Sequence, residues 1–160
     1  MEQKNKIILL AGPTASGKSS LAIKLAHYFG GEIINADSMQ VYKEISILTS
    51  KPKKKEMQNI KHHLYGSISV RKKFSTGDWL NLCIKKIEEI WKKGNTPIIV
   101  GGTGLYFKAL TDGLVKIPNI PIKLKADVKK MHKKLGQKIF FENLIKEDPL
   151  AKKFVSPTDM

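Results

Sequence analysis

The sequence predicts an α/β fold in three layers, with helices on both faces of a parallel sheet and a helical segment after it. Three observations predict this. Short apolar runs recur as Ile7-Ile8-Leu9-Leu10-Ala11, Ile33-Ile34 and Ile98-Ile99-Val100, the mark of strands buried on both faces. The first and last of these runs lead into turns of small residues and then into stretches with helical spacing. The first turn, Gly12-Pro13-Thr14-Ala15-Ser16-Gly17-Lys18-Ser19, fits the phosphate-loop pattern G-x-x-x-x-G-K-[ST] at every fixed position.

The chemistry explains that spacing. Gly12 and Gly17 permit backbone conformations that a β-carbon resists, so successive N–H groups can turn inward around an anion. Pro13, Thr14, Ala15 and Ser16 complete the loop. Lys18 reaches terminal phosphates, the Ser19 hydroxyl takes a place on Mg²⁺, and the helix that follows aims its positive end at the same anion. A P-loop NTPase-like core is therefore expected over residues 1–115, with a helical segment over 116–160.

In chain order, residues 1–5 read as a frayed start. Residues 6–11 form the first strand and 20–29 the first helix, with Leu21, Leu25 and Phe29 at helical spacing. Gly30-Gly31 ends that helix, because a left-handed cap favours glycine. Residues 32–35 form a second strand that delivers Ala36-Asp37-Ser38-Met39-Gln40 to its carboxyl end. Open α/β sheets build their ligand crevice there, so Asp37 is expected to face the phosphate loop. Residues 51–61 hold Pro52 and a Lys53-Lys54-Lys55 run, with a short helix expected over 54–59. His62-His63-Leu64-Tyr65 begin a third strand. Strand neighbours point to opposite faces, which argues against one metal ion shared by the two histidines.

Ser75-Thr76-Gly77-Asp78 is a capping turn, and Trp79, Leu82, Cys83, Ile87, Ile90 and Trp91 follow at helical spacing as a packing face. Gly94-Asn95 stops the helix, 96–100 is the next buried strand, and Gly101-Gly102-Thr103-Gly104 leads into a helix over 105–110. Backbone can approach a ligand closely there, with Thr103 the residue expected to touch it. Pro118 and Pro121 break up 115–121. Leu124, Val128, Met131 and Leu135 then predict a helix from Ile122 to Gly136, a second follows over 139–145, and a short one runs from Glu147-Asp148-Pro149 to Phe154.

Composition narrows the class. With 160 residues the chain is long enough for a domain-sized core. Its single cysteine, Cys83, excludes an internal disulfide and argues against a Cys-based zinc site. A polar start and a first apolar run too short to span a bilayer predict no signal peptide, no membrane partner and a cytoplasmic location. The net charge of +15 suits RNA or another polyanion. Only Arg71 among the 29 basic residues is arginine, a bias that AT-rich coding also produces, so charge alone leaves the partner open.

The loop by itself admits small-molecule kinases, nucleotide kinases, GTPases and other polyphosphate-using transferases. A typical NTPase has a second motif, an apolar strand ending in the Asp that holds Mg²⁺. The strand at 98–100 ends instead in Gly-Gly-Thr, so the one well-placed carboxylate is Asp37, as magnesium ligand or as general base. The sequence also lacks the Asn/Thr-Lys-x-Asp stretch with which a GTPase reads its base.

The loop at 12–19, Glu32-Ile33-Ile34-Asn35-Ala36-Asp37-Ser38-Met39-Gln40-Val41-Tyr42, Lys51-Pro52, His62-His63-Leu64 and Gly101-Gly102-Thr103-Gly104-Leu105-Tyr106 occur in the order and spacing of one family. The chain closely resembles the bacterial tRNA dimethylallyltransferases, or isopentenyl-diphosphate:tRNA transferases, over nearly its whole length, down to Asp148-Pro149 and Ala151. The resemblance implies transfer of a dimethylallyl group from dimethylallyl diphosphate to the N6 amine of adenosine at tRNA position 37, beside the anticodon, with pyrophosphate leaving. It implies that the ATP-type loop holds a prenyl diphosphate. Lys18, the loop amides and Mg²⁺ on Ser19 would neutralise the departing pyrophosphate. Asp37 would accept the amine proton, and Thr103 would position the amine or a diphosphate oxygen. Ser38, Met39 and Gln40, with Asp37, Thr103 and Lys125, would contact the tRNA anticodon loop, whose adenine leaves its stack to reach the pocket. A monomer is expected.

Departures from the family pattern also carry information. Family members are longer, continuing after Asp-Pro-x-x-Ala into an Asp-x-x-Arg-x-x-Arg stretch and a helical part that helps grip RNA. Asp159 could open that stretch, but the chain ends one residue later. Lys125 stands where the family has an arginine, keeping the charge without the bidentate geometry. The family's Gly-Thr-Ala-Lys-Pro reads Leu48-Thr49-Ser50-Lys51-Pro52. The chain therefore reads as the N-terminal part of such an enzyme, with the diphosphate site intact and the RNA grip incomplete. Two other readings stand beside it: a small-molecule kinase of the same fold, and a non-catalytic remnant that binds diphosphate or RNA.

Overall fold

A computed structural model describes residues 6–45, 49–115 and 120–159. The expected frayed start at 1–5, together with Leu48, Pro118 and Met160, lies outside the described residues. The chain divides into two compact units, Met1–Leu114 and Val115–Met160.

In the first unit the apolar runs become β1 (Ile8–Ala11), β2 (Gly31–Asn35) and β4 (Thr96–Gly101), joined by a short β3 (His62–His63). They form one sheet in the order β1-β4-β2-β3, with every neighbouring pair parallel. Ile33 stands opposite Ile98, and Asn35 opposite Val100. Alternation along the strands feeds two cores. Ile33, Ile98 and Val100 pack with Ala22, Ile23 and Ala26 of α1 (Lys18–Phe29). Ile34 and Ile99 pack on the opposite face with Trp79, Cys83, Ile87 and Ile90 of α2 (Thr76–Trp91) and with Tyr106 of α3 (Gly104–Asp112). The result is the three-layer arrangement with a parallel sheet that the sequence predicts.

Local chemistry sets the helix ends. Gly30 caps α1 in the left-handed conformation at φ 59°, its N–H donating to Ala26 O. Ser75 and Asp78 cap each other's backbone amides at the start of α2, Ser75 Oγ accepting from Asp78 N at 3.2 Å and Asp78 Oδ2 from Ser75 N at 2.9 Å. Cys83 is wholly buried, and burial pushes its thiol up to about 12, so it is a core residue.

Two expectations need correction. The packing face of α1 is Ala22, Ile23 and Ala26, whereas Leu21 and Phe29 are nearly half exposed. Two alanines let the helix lie close to the sheet, which the bulkier stripe would prevent. Residues 54–59 form hydrogen-bonded turns and no helix, because Gln58 and Asn59 turn left-handed at φ 45° and 61° to feed β3. The histidines of β3 have separate partners: His63 Nε2 lies 2.6 Å from Glu32 Oε2, and His62 Nδ1 lies 2.9 Å from Ile60 O.

The second unit carries α4 (Ile122–Glu147), in which Gly136 breaks the helical conformation at φ 75°, and a short 3-10 helix, Pro149–Lys153. The two expected helices therefore meet end to end at that glycine. Asp148 caps the 3-10 helix by accepting from Leu150 N at 3.0 Å. Leu124, Val128 and Met131 are about 40–50% exposed, so their stripe is not a core face within the unit. Among the described residues no helix is long and apolar enough to cross a membrane.

Two predictions follow from the packing of β2. A β-carbon on Gly101 would sit 2.2 Å from the carbonyl of Ala36. Gly101→Ala should therefore cost about 1–3 kcal/mol in a urea melt, through forced separation of the strand ends. At the other end of the sheet Glu32 is 2% exposed and bonded by His63, by Asn95 at 2.9 Å and by Lys93 at 3.3 Å. Burial raises its pKa, but those hydrogen bonds outweigh it and hold the carboxyl below its usual 4.5. A depressed folded value stabilises the protein above the unfolded value and is lost as pH falls through the folded one. Melts compared at neutral pH and at about pH 3.5 should show an acid-dependent loss that Glu32→Gln reduces.

Candidate functional site

The phosphate loop joins β1 to α1 at the carboxyl edge of the sheet. Ala15 and Gly17 are left-handed, at φ 62° and 80°, on either side of Ser16. This alternation of hand is the kind that turns successive amides toward one anion. Gly17 thus behaves as the sequence predicts. Gly12 is not left-handed: a β-carbon there would meet Ser16 Oγ at 3.4 Å and Lys18 Cδ at 3.5 Å, so its role is closeness to the loop's own side chains. The loop is tied to β4 by Gly12 N–H donating to Gly101 O at 3.3 Å. Lys18 Nζ folds over the loop, donating to Pro13 O and to Ser16 Oγ, while Ser16 Oγ donates to Pro13 O at 2.8 Å.

Asp37 lies two residues past the end of β2. Its Oδ1 accepts from Met39 N at 2.9 Å and Gln40 N at 3.4 Å, which closes the chain into a turn. The loop and this carboxylate share one cavity of about 410 Å³, lined by residues 14–20, Asp37, Gln40, Ser50, Tyr65 and the end of β4 at 100–102. A second cavity of similar volume shares Ser19, Ser20, Ser50, Tyr65 and Val100 with the first and extends along α1 past Ile23 and His62. Two phenols stand in the field of Asp37. Burial raises the Tyr65 hydroxyl, and the Asp37 charge adds to it. Burial pushes Tyr106 up to about 12, helped by Tyr42 and Asp37. Both remain protonated at neutral pH.

The predicted site residues are brought together unequally. Thr14, Ala15, Ser16, Gly17, Lys18, Ser19, Asp37 and Gln40 line the cavity. Thr103 is the residue before α3, and its hydroxyl accepts from Ser38 N at 2.9 Å and lies 3.3 Å from Ser38 Oγ. It therefore ties the strand end of β4 to that of β2. Met39 is 54% exposed beside them. Lys125 belongs to the first turn of α4 in the other unit. Sequence reasoning missed Asn35, Tyr65, Ser50 and the exact fit at Gly101. Only Asn35 had a local signal, an Asn two residues before the carboxylate whose backbone it bonds.

Ser19, a hard oxygen donor, and the Asp37 carboxylate face the same cavity, a donor set that suits Mg²⁺ with phosphate oxygens.

Comparison with known proteins places this arrangement. The family model described as IPP transferase matches residues 40–160. The chain is 59% identical to the tRNA dimethylallyltransferase of Pelagibacter ubique (strain HTCC1062) over 159 residues, 99% of this chain and 51% of that protein. It is 46% identical to that of Rickettsia rickettsii (strain Sheila Smith), over 98% of this chain and 43% of the relative. Among solved structures, a eukaryotic dimethylallyltransferase acting on tRNA aligns with a TM-score of 0.80 and 34% identity, covering 96% of this chain and 38% of that one. The tRNA isopentenylpyrophosphate transferase of Bacillus halodurans aligns at 0.70 and 32%, covering 98% and 52%. The chain spans about half the length of the curated relatives it matches. With its phosphate loop and its Asp37 turn on one sheet edge, the chain belongs to the IPP transferase family, that of the tRNA dimethylallyltransferases.

Proposed function

We propose that this chain supplies the diphosphate-binding and proton-accepting part of a tRNA dimethylallyl transfer. The observation that carries the reading is the single cavity shared by the phosphate loop and Asp37. Dimethylallyl diphosphate lies with its diphosphate on the loop amides. Lys18 leaves its internal contacts on Pro13 and Ser16 to meet the phosphate charge, a change from neutral to ionic partners that favours the bound state. The N6 amine of the adenosine at tRNA position 37 attacks C1 of the prenyl group. The C1–O bond breaks, the C1–N6 bond forms, and the amine proton passes to the Asp37 carboxylate as pyrophosphate leaves. Ser19 would hold Mg²⁺, which supplies charge neutralisation at the leaving group.

The protonated phenols of Tyr65 and Tyr106 keep the surroundings of Asp37 free of a competing negative charge. Ser38, Met39 and Gln40 present the RNA-facing turn, held by Thr103. Lys125 meets the RNA backbone as a point charge. The enzyme acts as a monomer in the cytoplasm, where its tRNA substrate is found.

The test incubates the chain with Mg²⁺, labelled dimethylallyl diphosphate and an anticodon stem-loop carrying the target adenosine, beside an ATP control. Saturable binding of the prenyl diphosphate in preference to ATP is expected. Phosphoryl transfer from ATP with the prenyl diphosphate inert would replace this reading with a kinase. Lys18→Ala should weaken pyrophosphate binding by about ten- to a hundredfold, the loss of one charged hydrogen-bond donor, as read by calorimetry. Asp37→Ala should keep that affinity and lower transfer by about 10²–10⁴-fold, the usual contribution of a general base. Normal turnover in that variant would assign the proton to another group.

A further inference from the structure

We propose that Asn35 is the positioning residue for Asp37: its buried side-chain amide, in place of the sheet, holds the backbone from which the carboxylate is aimed. The inference rests on the reading of Asp37 as proton acceptor. The β2 ladder ends at Asn35, opposite Val100, so Asp37 lies beyond the last strand pair. Both backbone polar groups of Asp37 are nevertheless bonded by one side chain. Asn35 Oδ1 accepts from Asp37 N at 3.0 Å, and Asn35 Nδ2 donates to Asp37 O at 2.9 Å. The same Nδ2 donates to Leu64 O at 3.3 Å.

Asn35 is fully buried, and its own carbonyl accepts from Trp79 Nε1 at 2.8 Å. Trp79 is itself buried and stacked on Tyr106, with ring centroids 4.2 Å apart. The clamp thus runs from the core through Asn35 to Asp37.

Two further features show how strictly the segment is held. Leu64 is left-handed at φ 62°, a conformation that persists in a non-glycine residue only where neighbours enforce it, and its carbonyl is the one Asn35 bonds. Beyond the clamp, Met39 N and Gln40 N fix the rotation of the carboxylate through Oδ1, whereas Oδ2 accepts no hydrogen bond among the described residues. A carboxylate with one oxygen held and the other open presents a defined lone pair to the cavity. Displacement of such a group by about 1 Å is enough to lower a rate about 10²-fold.

The test compares Asn35→Ala and Asn35→Ser with the unaltered chain. The alanine variant removes all three bonds, while serine keeps an oxygen able to accept from the amide two residues on. The first readout is the ¹³Cγ resonance of Asp37 in protein labelled at aspartate, which needs no turnover. It is expected to move in Asn35→Ala and to move part-way in Asn35→Ser, with inorganic pyrophosphate affinity unchanged within about twofold. Where transfer is measured, kcat should fall about 10²-fold in the alanine variant with KM for the prenyl diphosphate unchanged, and serine should restore part of it. An alanine variant with a lowered Tm but an unmoved Asp37 resonance overturns the proposal, since Asn35 would then be structural only. If the alanine variant does not fold, a serine variant whose Asp37 resonance coincides with that of the unaltered chain overturns it equally. Full transfer by Asp37→Asn would instead remove Asp37 from the chemistry and leave the positioning result standing.

Discussion

The contact on which the site depends is the approach of Gly101 to Ala36. Parallel strands ordinarily leave room for side chains on each face, but at this point a β-carbon would lie 2.2 Å from the Ala36 carbonyl. With only hydrogen on Gly101, the end of β4 touches both of its neighbours. Gly101 O receives the amide of Gly12 on one side, and Ala36 donates to Val100 O on the other. Thr103 N then donates to Ala36 O, and Ser38 N to Thr103 Oγ1. The phosphate loop and the Asp37 turn are therefore tied to the same short piece of strand. Their distance across the cavity is set by backbone, which gives less than side chains do.

The cores on the two faces support this edge in different ways. Under α1 the contact is made by Ala22 and Ala26 against Ile33, Ile98 and Val100, so the helix that begins at the loop lies close to the strands that end at it. On the other face a large residue fills the space. Trp79 reaches from α2 to the end of β2, stacks on Tyr106 of α3, and places its one polar atom on Asn35 O. Burying a tryptophan without a partner for that N–H would cost stability, and the acceptor chosen lies beside the site. Packing and site geometry thus meet in one hydrogen bond.

Much of this was legible in the sequence, for stated reasons. The phosphate loop, the buried strands, the Ser75–Asp78 cap and the breaks at Gly30 and Gly136 each rest on a local rule that tertiary structure has no reason to override. The face of α1 was not fully legible, because Leu21 and Phe29 share the helical period of Leu25 and yet are nearly half exposed, while Ala22, Ile23 and Ala26 make the buried contact and Leu25 packs at its margin. Spacing measures hydrophobicity, whereas the approach to a sheet rewards small size. The 54–59 segment has helix-favouring lysines, but its last residues must reverse hand to enter β3 at His62. The place of Tyr65 in the cavity and of Leu64 in the Asn35 clamp depends on that reversal, so neither could be read from its own neighbours.

β2 also shows why one carboxylate is structural and another is available for chemistry. Glu32 near its start faces Lys93, Asn95 and His63, and both of its oxygens are bonded. The ion pair and the amide hold it ionised and fixed, and a proton placed there would break the cluster. Asp37, just past the other end, has one oxygen held by two backbone amides and the other without a hydrogen-bond partner among the described residues, and it lines a cavity together with Lys18 and Ser19. Two backbone amides orient that carboxylate through a single oxygen, and no side-chain cation closes over it among the described residues. The difference lies in the partners: closure by side-chain charge at one end of the strand, and orientation by backbone at the other.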